Sequence, residues 1–258
     1  MRCMVVIPTY NESTNISRLV KEIFQLIPGI HVLVVDDKSP DGTAEIVKRL
    51  QPELPRLHLL QRQGRRSFGK SYIDGMRHAL QMGAELIIQM DADYSHNPRY
   101  LYKFLEVIEN CDLAIGSRYL HGVSVVNWPI RRLMLSVGAN TYVRWITGLP
   151  VADATSGYKC WRREVLEAMD LEAVTSDGYA FQIEMIYQAK RLGFRLLEVP
   201  IIFIDRTAGT SKISRKMVRE AMWIPWKLRL RSLCHQPFGR RWPEFSPSPC
   251  NEATPKAA

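Results

Sequence analysis

The stretch that decides the fold reads Leu86-Ile87-Ile88-Gln89-Met90-Asp91-Ala92-Asp93. Its apolar part predicts a buried strand that ends in two carboxylates, and desolvating such carboxylates is costly without a partner. Because Mg²⁺ takes oxygen ligands and commonly bridges protein carboxylates to substrate phosphates, the pair indicates a metal site for a phosphorylated ligand. The alternative is a solvated strand end before a turn, which Ser95, Asn97 and Pro98 favour.

Strand and helix patterns alternate on both sides of this stretch. The predicted strands are Cys3–Ile7, His31–Val35, Leu57–Leu60, Glu85–Met90, Asp112–Ile115 and a β run over Arg195–Ile204. The predicted helices are Ser13–Leu26, Thr43–Leu50, Ser71–Met82, Pro98–Glu109, Ile130–Ile146 and Gly178–Leu192. This alternation predicts an α/β fold whose mostly parallel sheet is covered by helices on both faces.

Polar residues follow four of the predicted strands, in loops that begin at Pro8, Asp36, Asp91 and Gly116. The carboxyl ends of parallel strands meet at one edge of a sheet, where ligands bind. Acids in the first two loops suit hydrogen bonds to a nucleoside, and a metal at the third suits its diphosphate. The layout therefore favours transfer of a sugar from a nucleotide.

A second motif competes with this interpretation. Gly64–Ser71 matches the G-x-x-x-x-G-K-[ST] phosphate-binding loop, which would make the protein a nucleotidase or kinase. The match follows the third strand rather than the first, and it contains Arg65, Arg66 and Phe68 where backbone amides must wrap around phosphate. It also leaves the other loops without a function, so it is the less favoured alternative.

The excess charge is confined to the C-terminal region. The chain has a net charge of +9, and residues 206–241 alone carry ten Lys or Arg residues and one acid. Such a segment suits phospholipid, nucleic acid or a phosphorylated substrate. Nucleic acid would leave the carboxylate loops unexplained. Apolar residues at three- or four-residue spacing over Ile213–Leu233, with basic residues between them, predict an amphipathic helix. It suits a membrane surface, and the pattern equally fits a helix packed on the domain with its lysines and arginines in solvent.

These patterns divide the chain into a catalytic domain (1–212), a basic amphipathic membrane-surface helix (213–235) and a disordered tail (236–258). No apolar run approaches the roughly 20 residues of a transmembrane helix, and the N-terminus does not resemble a signal peptide. The five cysteines form no C-x-x-C pair, which fits a reducing compartment and no zinc site. We expect a peripheral protein at the cytoplasmic face of a membrane.

Taken together, the motifs resemble those of family two glycosyltransferases with the Rossmann-like GT-A fold, and among them dolichyl-phosphate (polyprenyl-phosphate) mannosyltransferases. The resemblance runs from about Met4 to Lys212. Its motifs are Ile7-Pro8-Thr9-Tyr10-Asn11-Glu12, Asp36–Thr43, Asp91–Pro98, Gly116-Ser117-Arg118-Tyr119, Thr155-Ser156-Gly157-Tyr158, Asp177-Gly178-Tyr179-Ala180-Phe181-Gln182, Glu198-Val199-Pro200-Ile201 and Phe203-Ile204-Asp205-Arg206 followed by Gly209-Thr210-Ser211-Lys212.

The resemblance implies a Mg²⁺- or Mn²⁺-dependent, inverting transfer of mannose from GDP-mannose to a polyprenyl (dolichyl) phosphate. The products would be polyprenyl-phosphate mannose and GDP, and a membrane-anchoring partner subunit is possible. The alternative within the family is glucosyl transfer from UDP-glucose. Two departures from the family pattern concern the Ser67–Ser71 turn and Lys38, which would add a cation beside Asp36 and Asp37.

The resemblance also implies roles for individual residues. Donor-binding positions are Pro8, Tyr10, Glu12, Val35, Asp37, Asp91, Ala92, Asp93, Arg206 and Lys212. Metal ligands are Asp91, Asp93 and Ser95. The acceptor phosphate is assigned to Arg118, Arg131 and Lys212, and the catalytic group to Asp93, Arg118 and Arg206.

The chemistry of the acceptor decides whether a general base is needed. A phosphate monoester is largely dianionic at pH 7 and is already a nucleophile, since its second pKa is about 6. A sugar hydroxyl would instead need a carboxylate base, for which Asp153, Asp177 and Glu184 are candidates. The Q-x-x-R-W signature of processive polysaccharide synthases is absent from the sequence.

Overall fold

The computed structural model describes residues 2–174, 176–204 and 222–230. The strands are β1 (Cys3–Thr9), β2 (His31–Asp36), β3 (Leu57–Gln61), β4 (Leu86–Gln89), β5 (Leu113–Ser117), β6 (Val125–Val126), β7 (Lys159–Arg162), β8 (Leu196–Pro200) and β9 (Phe203–Ile204). The α-helices are α1 (Ile16–Leu26), α2 (Thr43–Leu50), α3 (Phe68–Gln81), α4 (Leu101–Val107), α5 (Ile130–Thr147), α6 (Arg163–Ala168) and α7 (Gly178–Arg191). Residues 222–230 are also helical.

Seven strands form one sheet in the order β3-β2-β1-β4-β7-β5-β8. Strands β1 to β4 pair in parallel, as do β5 and β8, whereas β7 runs antiparallel between β4 and β5. Strands β6 and β9 form a separate two-stranded ribbon. The predicted α/β fold with a mostly parallel sheet is therefore confirmed.

Helices cover both faces of the sheet because each central strand is buried on both sides. Along β1, Met4 and Val6 belong to one core cluster, which includes side chains of α3, α5 and α7. Val5 and Ile7, which alternate with them, belong to the second cluster with α1, α2 and α4. The two clusters fix the register of the sheet, since a one-residue slip would exchange their side chains.

Gly75 allows α3 to lie directly against the sheet. A Cβ atom at this position would be 2.5 Å from Val6 Cγ1 and 2.8 Å from Val35 Cγ2. Any larger side chain would push the helix away from β1 and β2. Because α3 follows the parallel strand β3, its start lies at the carboxyl edge of the sheet, where the candidate site lies.

The sequence prediction was accurate in the first half of the chain and incomplete in the second. Helix α2 has the predicted bounds, and α1 begins three residues later than predicted. The helix predicted over Pro98–Glu109 is a 3₁₀ turn, then α4, then a second 3₁₀ turn. Strand β7 and helix α6 were not predicted, because Lys159 and the two arginines at 162 and 163 mask the apolar pattern.

The helix at 222–230 packs against α5. The Tyr142 hydroxyl donates to the Met222 carbonyl oxygen at 2.8 Å and accepts from Trp226 Nε1 at 3.0 Å. Leu228 is buried in the first core cluster. Among the helices that the structure describes, none has the length and apolar character needed to cross a membrane.

Some predictions concern residues outside the described ranges. Arg206, Lys212, the tail at 236–258 and all but nine residues of the segment at 213–235 are in this group. Their assignments, and the three-part division of the chain, stay predictions.

Candidate functional site

Five loops meet at the carboxyl edge of the parallel strands. Four of them follow β1, β2, β4 and β5, as the sequence predicted. The fifth, at 152–158, precedes β7 and reaches the same edge because β7 runs antiparallel. The antiparallel strand therefore adds the Thr155–Tyr158 motif to the site.

Three of these loops contain a residue in the left-handed region of φ. The φ angles are +60° at Asn11, +57° at Lys38 and +61° at Tyr94, after β1, β2 and β4 respectively. Such conformations are unfavourable for residues other than glycine and are held by the surrounding structure. Their position at one edge of the sheet marks that edge as a functional candidate.

Hydrogen bonds join the first two loops into one unit. The backbone amides of Asn11 and Glu12 donate to Ser39 Oγ at 3.1 Å and Thr43 Oγ1 at 3.0 Å. Among the predicted donor-binding residues here, Val35 is fully buried and Pro8, Tyr10 and Glu12 are half-buried. The Arg66 guanidinium lies 3.7 Å from the centre of the Tyr10 ring, a cation–π contact.

The two acids after β2 make internal contacts. Asp36 Oδ1 accepts from Thr9 Oγ1 at 3.0 Å and from Ser39 Oγ at 2.6 Å. Asp37, which is 6% exposed, forms a 2.6 Å ion pair with Arg62. The Lys38 Nζ donates to the Gln63 carbonyl oxygen at 3.0 Å.

Backbone amides of the Gly64–Ser71 segment donate hydrogen bonds to side-chain oxygens of the protein. The Ser67 amide donates to Asp37 Oδ2 at 3.0 Å, and the Gly69 amide donates to Asp177 Oδ1 at 2.7 Å. The Lys70 amide donates to Ser67 Oγ, which caps α3. Since carboxylate and hydroxyl oxygens take the positions that a phosphate would need, the segment serves as a helix start joined to Asp37 and Asp177.

Asp91 is held on both sides by buried residues that the sequence analysis did not assign. Its Oδ1 accepts a 2.6 Å hydrogen bond from the Tyr72 hydroxyl, and its backbone amide donates to His96 Nδ1 at 2.9 Å. Burial, and then the charge of Asp91, raise the pKa of Tyr72 well above its usual value, so the hydroxyl keeps its proton. Burial lowers the pKa of His96, consistent with an unprotonated Nδ1 acceptor.

The Asp91–Ser95 turn has the donor set that a hard cation prefers. The Asp91 side chain remains 28% exposed, and Asp93 Oδ1 accepts from the buried Ser95 amide at 3.1 Å. Within the described residues, no group of three His, Cys, Asp or Glu side chains is placed to bind a metal. Two carboxylates fit Mg²⁺ or Mn²⁺ that completes its shell with substrate phosphate and water.

Arg118, after β5, forms a buried bidentate pair with Asp153. Its Nε donates to Asp153 Oδ2 at 2.6 Å and its Nη2 to Oδ1 at 2.7 Å. Nη2 also reaches Thr155 Oγ1 at 2.8 Å. Burial opposes both charges, but the pair raises the pKa of Arg118 and lowers that of Asp153. Arg118 thereby fixes the 152–158 loop, and its predicted role toward phosphate stays a prediction.

The remaining predicted residues have contrasting environments. Arg131 is exposed in the first turn of α5. Asp177 accepts from Gly69 and, at 2.9 Å, from the Gly178 amide, so it caps both α3 and α7. Glu184 is buried within α7.

Asn140, which the sequence analysis did not assign, connects α5 to the site, since its Oδ1 accepts from the Ala154 amide at 2.9 Å.

A buried polar cluster under the site was missed by sequence reasoning. Lys159, fully buried in β7, donates from Nζ to Gln182 Oε1. Burial lowers the pKa of Lys159 to about 7, against the opposing effect of Asp153 and Asp91. The burial of Lys159 could not be predicted, because the strand that it begins was not recognised in the sequence. Gln182 belongs to one of the quoted motifs, but no role was assigned to it.

Comparisons with known proteins support a family assignment. A sequence profile described as Glycosyl transferase family 2 matches residues 4–169. Polyprenol monophosphomannose synthase of Mycolicibacterium smegmatis is 45% identical over 234 residues, covering 89% of this chain and 88% of that protein. Undecaprenyl-phosphate mannosyltransferase of Micrococcus luteus is 42% identical over 222 residues, covering 86% of this chain and 91% of that protein.

Solved structures share the fold at much lower identity. Glucosyl-3-phosphoglycerate synthase from Mycobacterium tuberculosis, solved with Mn²⁺, uridine diphosphate and phosphoglyceric acid, has a TM-score of 0.65 at 16% identity. The match covers 88% of this chain and 78% of that chain. A second structure of the same synthase, with Mn²⁺, uridine diphosphate and glucosyl-3-phosphoglycerate, has a TM-score of 0.64 at 17% identity, over 89% of this chain and 79% of that one.

Proposed function

The chain belongs to glycosyl transferase family 2, and we propose that it transfers mannose from GDP-mannose to a polyprenyl (dolichyl) phosphate with inversion. The observation that carries the proposal is the Asp91–Ser95 turn, in which two carboxylates meet the nucleotide-side loops at one edge of the sheet. The names of the two relatives, both more than 40% identical over most of their length, support mannose and a polyprenyl phosphate as the substrates.

The environments of the three candidate bases favour a phosphate acceptor over a sugar hydroxyl. The pair with Arg118 lowers the pKa of Asp153, which makes this carboxylate a poor proton acceptor. Asp177 caps two helices, and Glu184 is 3% exposed. A phosphate monoester needs none of them, because its oxygen is already ionised at pH 7.

We propose that Asp91 and Asp93, with Ser95 as a further oxygen ligand, hold Mg²⁺ or Mn²⁺ against the donor diphosphate. Such a cation, when bound, stabilises the charge that develops on the departing GDP. The partly exposed Asp91 side chain and its contact with Tyr72 support this assignment. The solved structures of the same fold contain Mn²⁺ with uridine diphosphate, which supports a divalent cation as the cofactor.

Both substrates are anionic, so the protein must hold their phosphate groups close together against electrostatic repulsion. We propose that the loops after β1 and β2 bind the nucleoside, with Pro8, Tyr10, Glu12, Val35, Asp37 and Ala92 on the donor side. Arg131 in α5, with Arg118, Arg206 and Lys212, is proposed to offset the repulsion between the two phosphate groups and align the attacking oxygen for in-line displacement. Arg206 and Lys212 lie outside the described residues.

A basic, apolar surface beside the site supports a lipid acceptor. Large apolar side chains are exposed on α5 and on the helix at 222–230, and we call this set the tryptophan surface; they are Ile130, Met134, Leu135, Trp145, Trp223 and Leu230. Arg131, Arg144, Lys227 and Arg229 are exposed on the same two helices. Tryptophan with basic residues suits the interface of an anionic membrane, and we propose peripheral binding there at the cytoplasmic face.

Donor choice is the experiment that tests this proposal. The full-length protein is incubated with polyprenyl phosphate and equal concentrations of GDP-[¹⁴C]mannose or UDP-[¹⁴C]glucose, and the organic phase is extracted. We expect label in the lipid product from GDP-mannose. If label enters the lipid only from UDP-glucose, the transferred sugar is glucose rather than mannose. An unlabelled organic phase with both donors would refute the proposed function.

A further inference from the structure

A chain of buried polar side chains beneath Asp91 fixes the orientation of one amide group. Trp161 Nε1 donates to Gln89 Oε1 at 2.9 Å, and Gln89 Nε2 donates to Gln182 Oε1 at 3.3 Å. Lys159 Nζ donates to the same Gln182 oxygen. The four residues are at most 2% exposed, so bulk water does not compete for these bonds.

The orientation of both glutamines follows from Trp161. An indole N–H is a donor only, so the oxygen of Gln89 faces Trp161 and the Gln89 amide nitrogen faces Gln182. Gln182 therefore turns its oxygen toward both Gln89 Nε2 and Lys159 Nζ. As a result, the nitrogen of Gln182 must point away from Lys159.

Gln182 Nε2 is left without a partner beside Asp91. Within the described part of the chain, it is one of a few buried side-chain polar atoms that have no hydrogen-bond partner. Leaving such a donor unpaired is unfavourable, because the group has lost its hydrogen bonds to water. A buried donor at the edge of a catalytic site is therefore expected to meet a ligand.

Gly157 leaves a small space in front of this nitrogen. A Cβ atom at Gly157 would lie 3.4 Å from Gln182 Nε2, 3.5 Å from Asp91 Oδ2 and 3.2 Å from His96 Cε1. Because glycine has no Cβ atom, this position between the three groups is free of side-chain atoms, and a methyl group there would contact all of them. The position is bordered by a hydrogen-bond donor and by a carboxylate acceptor.

We propose that Gln182 is an additional substrate-binding residue of the transferase site, whose Nε2 donates to a ligand oxygen that also contacts Asp91. An oxygen that accepts from an amide and donates to a carboxylate is a hydroxyl group or a water molecule. Its source is a hydroxyl of the donor sugar or a water bound to the divalent cation. The inference rests on the proposed function, which supplies a sugar donor at Asp91.

Two substitutions test the proposal from opposite sides, with the full-length protein and calorimetric measurement of the Kd for GDP-mannose and for GDP. Gln182→Leu removes the donor, and Gly157→Ala fills the space while keeping Gln182. Gly138→Ala in α5 is the matched control, because a Cβ atom there meets nothing within 4 Å. Thermal melting verifies that each variant is folded.

We expect both test variants to raise the Kd for GDP-mannose about tenfold, the effect of one lost hydrogen bond, with no change in the control. If the oxygen belongs to the sugar, the Kd for GDP stays constant. If it is a metal-bound water, the Kd for GDP and the Kd for Mn²⁺, measured by electron paramagnetic resonance, rise as well. Should Gln182→Leu fail to fold, Gly157→Ala decides alone.

An unchanged Kd for GDP-mannose in folded Gly157→Ala or Gln182→Leu would overturn the role of Gln182. This outcome differs from failure of the proposed function. In that case the wild-type protein itself would not bind GDP-mannose, and the same variants would then be compared with UDP-glucose, for which the same rise in Kd is expected.

Discussion

At the residue scale, the candidate metal carboxylates could be predicted but the groups that hold them could not. Asp91 and Asp93 follow an apolar strand as a short, visible pattern. Tyr72 lies 19 residues before Asp91 in the chain and contacts it only because Gly75 lets α3 approach the sheet. Such contacts depend on tertiary packing, which a local sequence pattern does not contain.

The Tyr72→Phe substitution tests whether this contact positions Asp91 for catalysis. A hydrogen bond to a charged group contributes about 1.5–3 kcal/mol. We expect the rate of mannosyl transfer to fall at least about tenfold. Tyr158→Phe is the control, since that buried hydroxyl donates to the Asn97 carbonyl at 3.2 Å rather than to Asp91. Equal rates in wild type and Tyr72→Phe would show that the contact does not support catalysis.

Lys70→Ala separates the transferase from a phosphate-loop enzyme. The Lys70 side chain is exposed, and the amides around it are bonded to Ser67, Asp37 and Asp177. We expect less than a threefold change in transfer rate, as is usual for a surface substitution worth about 0.5 kcal/mol. Loss of activity comparable to that of Asp93→Asn would instead favour the phosphate-loop alternative.

At the element scale, the alternating first half was predictable because each strand is a continuous apolar run and each helix is amphipathic. Strand β7 was not, since it begins with Lys159 and ends with Arg162, and the partner that Lys159 finds in Gln182 exists only in the folded protein. The antiparallel direction of β7 brings the 152–158 loop to the site. The missed strand is thus the element that completes the candidate site.

The β2–β3 pair at the edge of the sheet should weaken in acid. His31 and His58 stack with ring centres 5.4 Å apart, and His31 Nδ1 lies 3.0 Å from His58 Nε2. Burial first, then neighbouring positive charges, lower the pKa of both rings below 6.5. The folded state therefore favours the neutral rings, and this stabilisation is present above pH 6.5 and is lost as the pH falls below it.

Urea unfolding between pH 5 and pH 8 measures this effect. We expect the midpoint for the wild-type protein to decrease below pH 6.5, and His58→Gln to reduce that decrease. His121→Gln, at an exposed position, should leave it unchanged. An identical pH dependence in wild type and His58→Gln would contradict the role of the histidine pair.

At the scale of the whole molecule, the site and the tryptophan surface share α5. Asn140 in this helix holds the loop that carries Asp153 and Thr155, while the Trp145 side chain is 80% exposed. The basic amphipathic pattern of the C-terminal segment was visible in the sequence. The contribution of α5 was not, because its exposed apolar residues look like core residues until the packing is known.

Vesicle binding tests the tryptophan surface. We expect the variant Met134→Ser/Trp145→Ser/Trp223→Ser to sediment less with vesicles of phosphatidylcholine and phosphatidylglycerol, because it exposes less apolar surface to the interface. Transfer to a short, water-soluble prenyl phosphate should be retained, since these side chains point away from the core. Sedimentation equal to that of the wild type would remove this surface from the membrane interaction.

The central claim is that Asp91 and Asp93 direct mannose from GDP-mannose to a polyprenyl phosphate through a divalent cation. The most direct test is the initial rate at which [¹⁴C]mannose enters the organic phase, for wild type and Asp93→Asn, with and without EDTA. We predict transfer by the wild type with Mg²⁺ or Mn²⁺, loss in EDTA with recovery on adding the metal, and at least a thousandfold lower rate in Asp93→Asn, about 4 kcal/mol. Undiminished transfer in EDTA, or by Asp93→Asn, would contradict the account.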